Sequence, residues 1–258
     1  MAEPRSPPPR RLRILSANIQ AGASTRKYSD YVTRPWSHVL PAREKRTNLD
    51  TLGDLAASFD VVGLQEADPG SLRSGFLNQT HYLAERAGFP FWSHQPNRRV
   101  GRIASSANGL LSRIEPSEVL DYPLPSRIPG RGVLLARYGT GAPSLLVAVA
   151  HLSLSIKARA VQIAFLCDLL APEQHAVLMG DFNCEPEAGE MRALYERAGL
   201  ARPRQRVATF PSWEPKRAID HILVSSGIQV EKRWAFPGAL SDHLPLAAEL
   251  LLPADVLA

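Results

Sequence analysis

The sequence predicts a single α/β domain, and three observations support that fold class. With 258 residues, 45% of them hydrophobic, the chain can bury a large core. Apolar runs of strand length alternate with amphipathic segments of helical period over most of the sequence. No long stretch rich in glycine, serine or proline separates two halves. We therefore expect one domain over residues 11–258, preceded by a disordered, basic and proline-rich tail at residues 1–10.

The first half of the chain is assigned from its apolar periodicity. RLRILSANIQ (11–20) alternates into an apolar run and predicts a strand. In the segment 42–58, leucines recur at helical spacing opposite charged residues, which predicts a helix. The short apolar run DVVGLQEAD (60–68) predicts a second strand. A further helix is predicted over 78–88, because Gly88 readily takes the left-handed conformation that ends helices.

The middle of the chain predicts strands with one helix. ANGLLSR (107–113) and GRGVLLARY (130–138) are apolar enough for strands, and the proline-rich stretch 116–129 between them predicts a loop. The run SLLVAVAHLSL (144–154) predicts a long strand. KARAVQIAFLCDLL (157–170) predicts a helix that ends before a proline, which cannot continue it.

The last part of the chain continues the alternation. It predicts a strand at 176–181, a helix at 189–200, and strands at 218–225 and 245–252. Continuous apolar strands of this kind are typical of sheets that are buried on both faces.

Charge and cysteine content narrow the class of protein. A net charge of +5 and a pI near 9.5 favour anionic partners, although this charge is small for the chain length. Two cysteines, Cys167 and Cys184, are too few for a disulfide framework and indicate a reducing compartment, so we expect a cytoplasmic location. No apolar run is long enough to predict a transmembrane helix, and the first ten residues lack the apolar core of a secretion signal.

Polar side chains suited to metal binding or proton transfer follow the ends of successive apolar runs. They are Asn18, Glu66, His151, Asp181, Asn183 and Asp220, and the pair Asp242–His243 precedes the last strand. Any one of them alone is explained by solvation of a loop. Because loops at strand ends are held by a rigid sheet, the whole set predicts one functional site.

A family resemblance is carried by short motifs in a fixed order. Between residues 12 and 250 the motifs occur in this order: ANIQ, GLQEAD, NGLLSR, AHLSL, MGDFN, TFPS, IDHI and LSDHLP. The set resembles the endonuclease/exonuclease/phosphatase superfamily, whose fold is deoxyribonuclease I-like, and the GDxN and SDH motifs are its most specific parts. The resemblance implies a four-layer sandwich in which two mainly antiparallel β-sheets pack face to face with helices outside. It also implies a hydrolase of phosphoric esters.

The resemblance also implies a metal site. Glu66 and Asn18 are expected to hold Mg²⁺, with Mn²⁺ as a substitute, and Asp242 resembles a second carboxylate on the metal side. Carboxylate and amide oxygens are hard ligands that suit Mg²⁺, which acts as a Lewis acid on a phosphoryl group. A structural alternative for Asp242 is to cap the chain corner at Ser241.

Asp181 and Asn183 stand two residues apart, so on an extended chain their side chains project to the same face. The carboxylate can polarise a water molecule while the amide donates to a phosphoryl oxygen. The structural alternative is an Asx-turn that caps the loop.

Two histidines complete the expected chemistry. His243 would contact the phosphate, and Asp220 would hold the His243 ring in place. The resemblance implies that this pair acts either as a base or as an electrostatic stabiliser. His151 would donate to a phosphate oxygen or act as an acid toward the leaving group. Three residues are expected beside the substrate, with a structural role as the alternative for each: Asn108, Arg131 and Thr209.

The favoured substrate is DNA or RNA, which makes a nuclease the first hypothesis. A basic groove is expected from arginines at positions 98, 99, 102, 113, 127 and 131 and from the aromatic residues Phe89, Phe91 and Trp92. The loop 25–41 is expected to shape substrate choice. The alternatives are a phosphodiesterase or phosphatase for a small or lipid-linked phosphoester, and a non-catalytic binding scaffold. We expect a monomer.

Overall fold

Two β-sheets form the centre of the computed structural model, which describes residues 9–20, 43–100, 104–127, 129–238 and 240–257. The described residues contain eleven strands: β1 (Arg10–Asn18), β2 (Val61–Ala67), β3 (Phe91–Val100), β4 (Ala104–Ser112), β5 (Glu118–Pro123), β6 (Gly132–Tyr138), β7 (Leu145–His151), β8 (His175–Asp181), β9 (Asp220–Val224), β10 (Gln229–Ala235) and β11 (Leu246–Leu252). They also contain four α-helices: α1 (Arg43–Ala56), α2 (Gln79–Ala87), α3 (Ile156–Leu170) and α4 (Arg192–Glu196).

Both sheets are mainly antiparallel, as the family resemblance implies. The first sheet has six strands in the order β10-β11-β1-β2-β4-β3, and the second has five in the order β5-β6-β7-β8-β9. Strands β1 and β2 are the parallel pair of the first sheet, and β7 and β8 are the parallel pair of the second. The other neighbouring strands pair in antiparallel fashion.

Three sets of buried side chains define the layers. The set between the two sheets includes Ile14 of β1 and Val177 of β8. The set between the first sheet and its helices includes Leu15 of β1, Leu52 of α1 and Leu83 of α2. The set outside the second sheet includes Leu178 of β8, Leu166 of α3 and Leu194 of α4. The order is therefore helices, sheet, sheet, helices, which confirms the predicted four-layer sandwich.

Strand β1 shows why the apolar runs are continuous. Leu12 and Ile14 face the core between the sheets, whereas Leu15 and Ala17 face the helical layer. Both faces of the second half of the strand are buried, so apolar residues occupy most positions on both faces there. The next inward positions after Ile14 are the buried polar residues Ser16 and Asn18. The inward faces of the strands therefore lead directly to the predicted site.

Three strands are missing from the sequence prediction, and each lies at the edge of a sheet. Strands β3 and β10 border the first sheet, and β5 borders the second. The sequence predicts a loop over 116–129, but β5 lies within it, with mostly exposed side chains. Edge strands pair on one side only and carry polar residues, so they lack the apolar run that identifies a central strand. The helix predicted over 189–200 is also shorter, being a 3₁₀ turn followed by α4.

Some predictions fall outside the described residues. Residues 1–8 of the predicted tail, the loop 25–41 and Arg102 are among them. Strand β1 begins at Arg10, one residue before the predicted domain boundary. Within the described part of the chain, no helix has the length and apolar character needed to cross a membrane.

Candidate active site

Three adjacent strands of the second sheet bring predicted site residues side by side. His151 ends β7, Asp181 ends β8 and Asp220 begins β9. The strand register pairs His151 with Asp181, and Asp181 with Asp220. All three side chains are buried, and they continue the inward-facing rows of the core between the sheets. The sheet itself therefore sets their spacing.

The first sheet contributes Asn18 to the same place. The amide Nδ2 of Asn18 donates to Oδ2 of Asp181 at 3.1 Å, and both side chains are buried. The amide Oδ1 accepts a hydrogen bond from the backbone N–H of Gln20 at 3.1 Å. Asn18 thus joins the ends of β1 and β8 across the gap between the sheets.

Glu66 reaches the site because β2 is irregular at its end. Val62 and Leu64 face the helical layer, so regular alternation would place Glu66 on that side too. The register with β4 shifts between Leu64 and Ala67, and Glu66 has a φ of 59°. A bulge with a left-handed residue re-aims a side chain at a cost of about 1–3 kcal/mol. The carboxylate lies 4.0 Å from Nε2 of His151 and is 33% exposed.

Asp181 and Asn183 form an Asx-turn. Asn183 has a φ of 55°, and its backbone N–H donates to Oδ1 of Asp181 at 2.9 Å. The expectation of an extended chain is therefore wrong at this point, because the backbone is left-handed. The Asn183 amide Nδ2 donates to the carbonyl of Leu152 at 3.0 Å, which holds this side chain beside the end of β7. The turn fixes Oδ1 and leaves Oδ2 of Asp181 facing Asn18.

The electrostatics keep Asp181 ionised. Burial raises the pKa of its carboxyl group, but the charge of His243, the hydrogen bond from His151 and the N–H of Asn183 together lower the pKa below its usual range. A buried carboxylate that stays ionised at neutral pH can orient a cation or a water molecule.

Asp220 and His243 form a buried ion pair. The distance from Nδ1 of His243 to Oδ2 of Asp220 is 2.8 Å, and Thr209 Oγ1 donates to the same oxygen at 2.5 Å. Desolvation lowers the pKa of His243, but Asp220, Asp181 and Asp242 raise it to about 10. His243 is therefore a cation at neutral pH, and its Nε2 lies 3.8 Å from Oδ2 of Asp181.

His151 lies between a guanidinium and a carboxylate. Nη1 of Arg131 lies 2.9 Å from Nδ1 of His151, and Nε2 of His151 lies 3.3 Å from Oδ2 of Asp181. The structure thus places Arg131 at the site, where its guanidinium contacts this ring.

Two residues predicted to contact substrate have no exposed surface. Asn108 is fully buried, and its Nδ2 lies within hydrogen-bond distance of the Gly132 carbonyl at 2.8 Å and of Gln95 Oε1 at 3.2 Å. Thr209 is also fully buried and orients Asp220. A substrate cannot touch either side chain in this structure, so both support the site from behind.

Asp242 adjoins the site through His243. Its Oδ1 accepts from Ser241 Oγ at 3.0 Å, and its backbone carbonyl accepts from the N–H of Ser212 at 2.8 Å. These bonds are the corner cap that the sequence offers as the alternative role, and the side chain is buried.

The predicted basic and aromatic groove is contradicted at several positions. Arg113 donates to the backbone carbonyls of Ala57, Phe59, Ala87 and Gly88 and lies over the ring of Phe89, which is buried. Trp92 stacks with His81 and His94. Phe91 pairs with Ser112 at the end of β4 that lies away from Asn108. These side chains belong to the fold at the opposite end of the sheet from the site.

Two polar networks hold loops of the site, and the sequence did not predict this role for their residues. Asp68, two residues after Glu66, accepts from the backbone N–H groups of Gly70 and Ser71 at 2.9 and 2.7 Å. Arg159 donates to the carbonyl of Leu154 at 2.6 Å and pairs at 2.8 Å with Glu190, whose side chain is 8% exposed. Asp followed by Pro-Gly-Ser is a turn signal that could have identified the first network. The second depends on residues far apart in the sequence.

The donor set fits a divalent cation. Among the described acidic and histidine side chains, the ligand atoms of Asp181, Asp220 and His243 lie within 4.8 Å of one another. Because His243 is cationic and its Nδ1 is bound to Asp220, that group disfavours a further positive charge. Glu66 offers a carboxylate 4.0 Å from His151 Nε2, and Asn18 Oδ1, which accepts from the Gln20 N–H, has a second lone pair; such oxygen ligands suit Mg²⁺ better.

The sequence and the fold are both similar to those of known proteins. The sequence model described as "Endonuclease/Exonuclease/phosphatase family" matches residues 15–243. No curated protein matches the sequence significantly. An endonuclease/exonuclease/phosphatase from Beutenbergia cavernae has a similar structure, with 19% identity, a TM-score of 0.71, and coverage of 94% of this chain and 72% of the other.

Two structures from other organisms share the fold. The human nocturnin catalytic domain with bound sulfate has 17% identity, a TM-score of 0.67, and coverage of 94% and 93% of the two chains. The beta toxin of Staphylococcus aureus has 14% identity, a TM-score of 0.66, and coverage of 92% and 99%. At sequence identities this low, the similarity to these two structures is a similarity of fold.

Proposed function

Because the chain belongs to the endonuclease/exonuclease/phosphatase family, we propose that it is a divalent-metal-dependent hydrolase of phosphodiesters. The observation that carries the proposal is the convergence of both sheets on Asp181. Asn18 lies 3.1 Å from Asp181, and Glu66 and Asp181 both lie within 4.0 Å of Nε2 of His151. Carboxylates, an amide and imidazoles gathered this closely at the end of a core match the demands of phosphoryl transfer.

In this proposal Glu66 and Asn18 hold the cation, with Asp242 as a further carboxylate nearby. Mg²⁺ is the proposed ion, and Mn²⁺ can replace it. A bound divalent cation would polarise the phosphoryl group. Asp181 holds the attacking water, since its carboxylate stays ionised and its two oxygens are fixed by Asn183 and Asn18.

His243 and Asn183 stabilise the phosphoryl oxygens as negative charge develops. The imidazolium of His243 is kept in place and charged by Asp220, which Thr209 orients in turn. The Asn183 amide has a second proton beyond the one it gives to the Leu152 carbonyl. Donors that are held before the reaction cost no reorganisation during it.

The charge of the site favours a phosphodiester over a phosphomonoester. Asp181, Asp220, Asp242 and Glu66 bring four carboxylates close to two cationic side chains, those of His243 and Arg131. A monoester dianion adds more negative charge to this place than a diester monoanion does. A divalent cation bound here would bring the sum of these charges to zero, and a diester monoanion would then need less further compensation than a monoester dianion.

Within this class, a nuclease is the finer proposal. It rests on the net charge of +5 and on Arg131 in the site. Arg113 and the aromatic residues around Trp92 serve the fold, so the proposed nucleic-acid site does not extend to that end of the sheet. We further propose a monomer in the cytoplasm, where the buried thiols of Cys167 and Cys184 remain reduced.

Metal stripping and re-addition tests the proposed activity. Protein treated with EDTA is expected to be inactive on bis-p-nitrophenyl phosphate and to regain activity with Mg²⁺ or Mn²⁺. The same preparation should act more slowly on the monoester p-nitrophenyl phosphate. Failure to hydrolyse either ester with any divalent ion would overturn the proposal.

A substrate screen tests the finer proposal. Plasmid DNA, RNA, an abasic duplex, phospholipids and inositol phosphates are compared at equal enzyme concentration. Cleavage of DNA or RNA supports a nuclease. Turnover confined to the lipids or inositol phosphates would replace the nuclease with the corresponding small-substrate enzyme.

A further inference from the structure

We infer that Arg131 is a positioning residue that sets the tautomer of His151, so that the ring proton sits on Nε2 and points into the cleft. This inference deepens the proposed function and rests on it for its catalytic meaning. The assignment of the tautomer itself depends only on contacts within the protein.

The contact between the two side chains has only one chemical reading. Nη1 of Arg131 lies 2.9 Å from Nδ1 of His151. A guanidinium has five N–H donors and no acceptor, and it does not lose its proton in proteins. Nδ1 must therefore accept, which leaves Nε2 as the nitrogen that carries the ring proton.

The other side of the ring agrees with this tautomer. Nε2 lies 3.3 Å from Oδ2 of Asp181 and 4.0 Å from Oε1 of Glu66, and both carboxylate oxygens can only accept while ionised. A proton on Nε2 faces these oxygens, whereas a lone pair there would face them with repulsion. His151 is buried, so the ring cannot exchange its two nitrogens without displacing its neighbours.

The fold holds Arg131 in this position through its backbone. The N–H of Leu124 donates to the carbonyl of Arg131 at 2.9 Å, and Asn108 Nδ2 donates to the carbonyl of Gly132 at 2.8 Å. Gly132 allows a close approach, since a Cβ there would lie 2.3 Å from side-chain oxygens of Gln95 and Asn97. The buried amide of Asn108 thus fixes the start of β6, from which the guanidinium projects.

The two imidazoles of the site are consequently set in opposite ways. Asp220 accepts from Nδ1 of His243 and keeps that ring cationic. Arg131 donates to Nδ1 of His151, so Nε2 is the nitrogen of that ring that carries the proton. While this contact persists, His151 serves as a hydrogen-bond donor to an oxygen in the cleft. It does not deliver a second proton to a leaving group, because an imidazolium would place Nδ1–H against a guanidinium N–H.

Nitrogen NMR of ¹⁵N-histidine-labelled, chelator-treated protein tests the inference directly. The His151 signals are assigned by their loss in His151→Gln. We expect Nδ1 to resonate as an unprotonated nitrogen and Nε2 as a protonated one. Protonation at Nδ1 in the unmodified protein would overturn the inference.

Substitutions at Arg131 give the matched comparison. Arg131→Lys keeps a cationic donor and should leave the Nε2–H tautomer unchanged, whereas Arg131→Glu supplies an acceptor and should move the proton to Nδ1. An unchanged His151 spectrum in folded Arg131→Glu would refute the role of Arg131. If Arg131→Glu does not fold, Arg131→Ala removes the donor, and a His151 Nδ1 signal unchanged from that of the unmodified protein would likewise refute the role of Arg131.

Activity on bis-p-nitrophenyl phosphate separates the donor role from an acid role. The amide of His151→Gln can donate from a similar position but cannot transfer a proton, so it should retain at least tenfold more kcat than His151→Ala. Equal losses in the two variants would count against the donor role. The NMR measurement does not require turnover, so it tests the tautomer independently of the proposed function. If the protein shows the expected tautomer but hydrolyses no ester, the proposed function is wrong and the tautomer assignment stands.

Discussion

Asn18 at the end of β1 donates its amide to Asp181 at the end of β8 at 3.1 Å, across the space between the two sheets. His151 at the end of β7 also faces this carboxylate, and Asn183, in the turn directly after β8, donates its backbone N–H to it. Asp181 is therefore the point at which the two halves of the sandwich depend on each other.

Replacing this amide with a carboxylate is expected to damage both stability and activity. Asn18→Asp keeps the shape of the side chain but places a second buried negative charge against Asp181. The loss of the hydrogen bond and the like-charge contact should cost about 1–3 kcal/mol of unfolding free energy and about 10²-fold in kcat. Chemical denaturation and bis-p-nitrophenyl phosphate hydrolysis measure the two effects. The exposed Gln229→Glu is the matched control, and similar losses in the two variants would contradict the role of Asn18.

The pair formed by His243 and Asp220 predicts a pH-dependent stability. The pKa of His243 is raised to about 10, so its contribution is fully present below the pKa of an unfolded histidine and is lost as the pH rises toward 10. The difference in unfolding free energy between the metal-free protein and His243→Gln should fall, by an amount on the order of 3 kcal/mol, between pH 6 and pH 10. Urea denaturation over this pH range measures the difference. A difference independent of pH would show that His243 is not charged in the folded protein.

Thr209 should act through Asp220. Thr209→Val removes the hydroxyl that donates to Asp220 Oδ2 at 2.5 Å and leaves a buried carboxylate with one donor fewer. We expect a loss of about 1–3 kcal/mol of unfolding free energy and about tenfold in kcat. Thr209→Ser keeps the hydroxyl and should recover most of both. If the serine and valine variants behave alike, the methyl group and not the hydroxyl is the important part of this residue.

Glu66 should dominate cation affinity. Glu66→Gln removes one negative charge from the proposed site, and the affinity for Mn²⁺ or Mg²⁺ measured by calorimetry should fall by about tenfold or more. Glu115→Gln changes an exposed glutamate elsewhere and should leave the affinity unchanged. Unaltered cation affinity in Glu66→Gln would indicate that the cation binds to Asp181, Asp220 and His243 instead.

The central strands could be predicted from the sequence because both of their faces are buried. Strands such as β7 and β8 have no exposed residue along their length, so their sequences are continuous apolar runs. Strands β3, β5 and β10 could not be predicted in this way, because they form sheet edges. Their sequences, such as QVEKRWA for β10, mix charges with apolar residues.

Membership of the site could be predicted better than the position of each side chain. His151, Asp181 and Asp220 follow from strand ends, which alternation and register then bring together. The bulge that turns Glu66 toward the site and the left-handed turn at Asn183 depend on single backbone angles, which no periodicity shows. The burial of Asn108 and Thr209 results from contacts with segments that are distant in the sequence, so the sequence gives no sign of it.

The most direct measurement of the central claim is the metal-dependent hydrolysis of bis-p-nitrophenyl phosphate by Asp181→Asn. This variant keeps the size of the side chain and removes the charge on which Asn18, His151 and His243 converge. We predict a loss of about 10³-fold in kcat/KM with the folded state retained, while Asp121→Asn at an exposed position of β5 stays within about twofold of the unmodified protein. Equal activity in the two folded variants would contradict the claim that this cleft carries out the reaction.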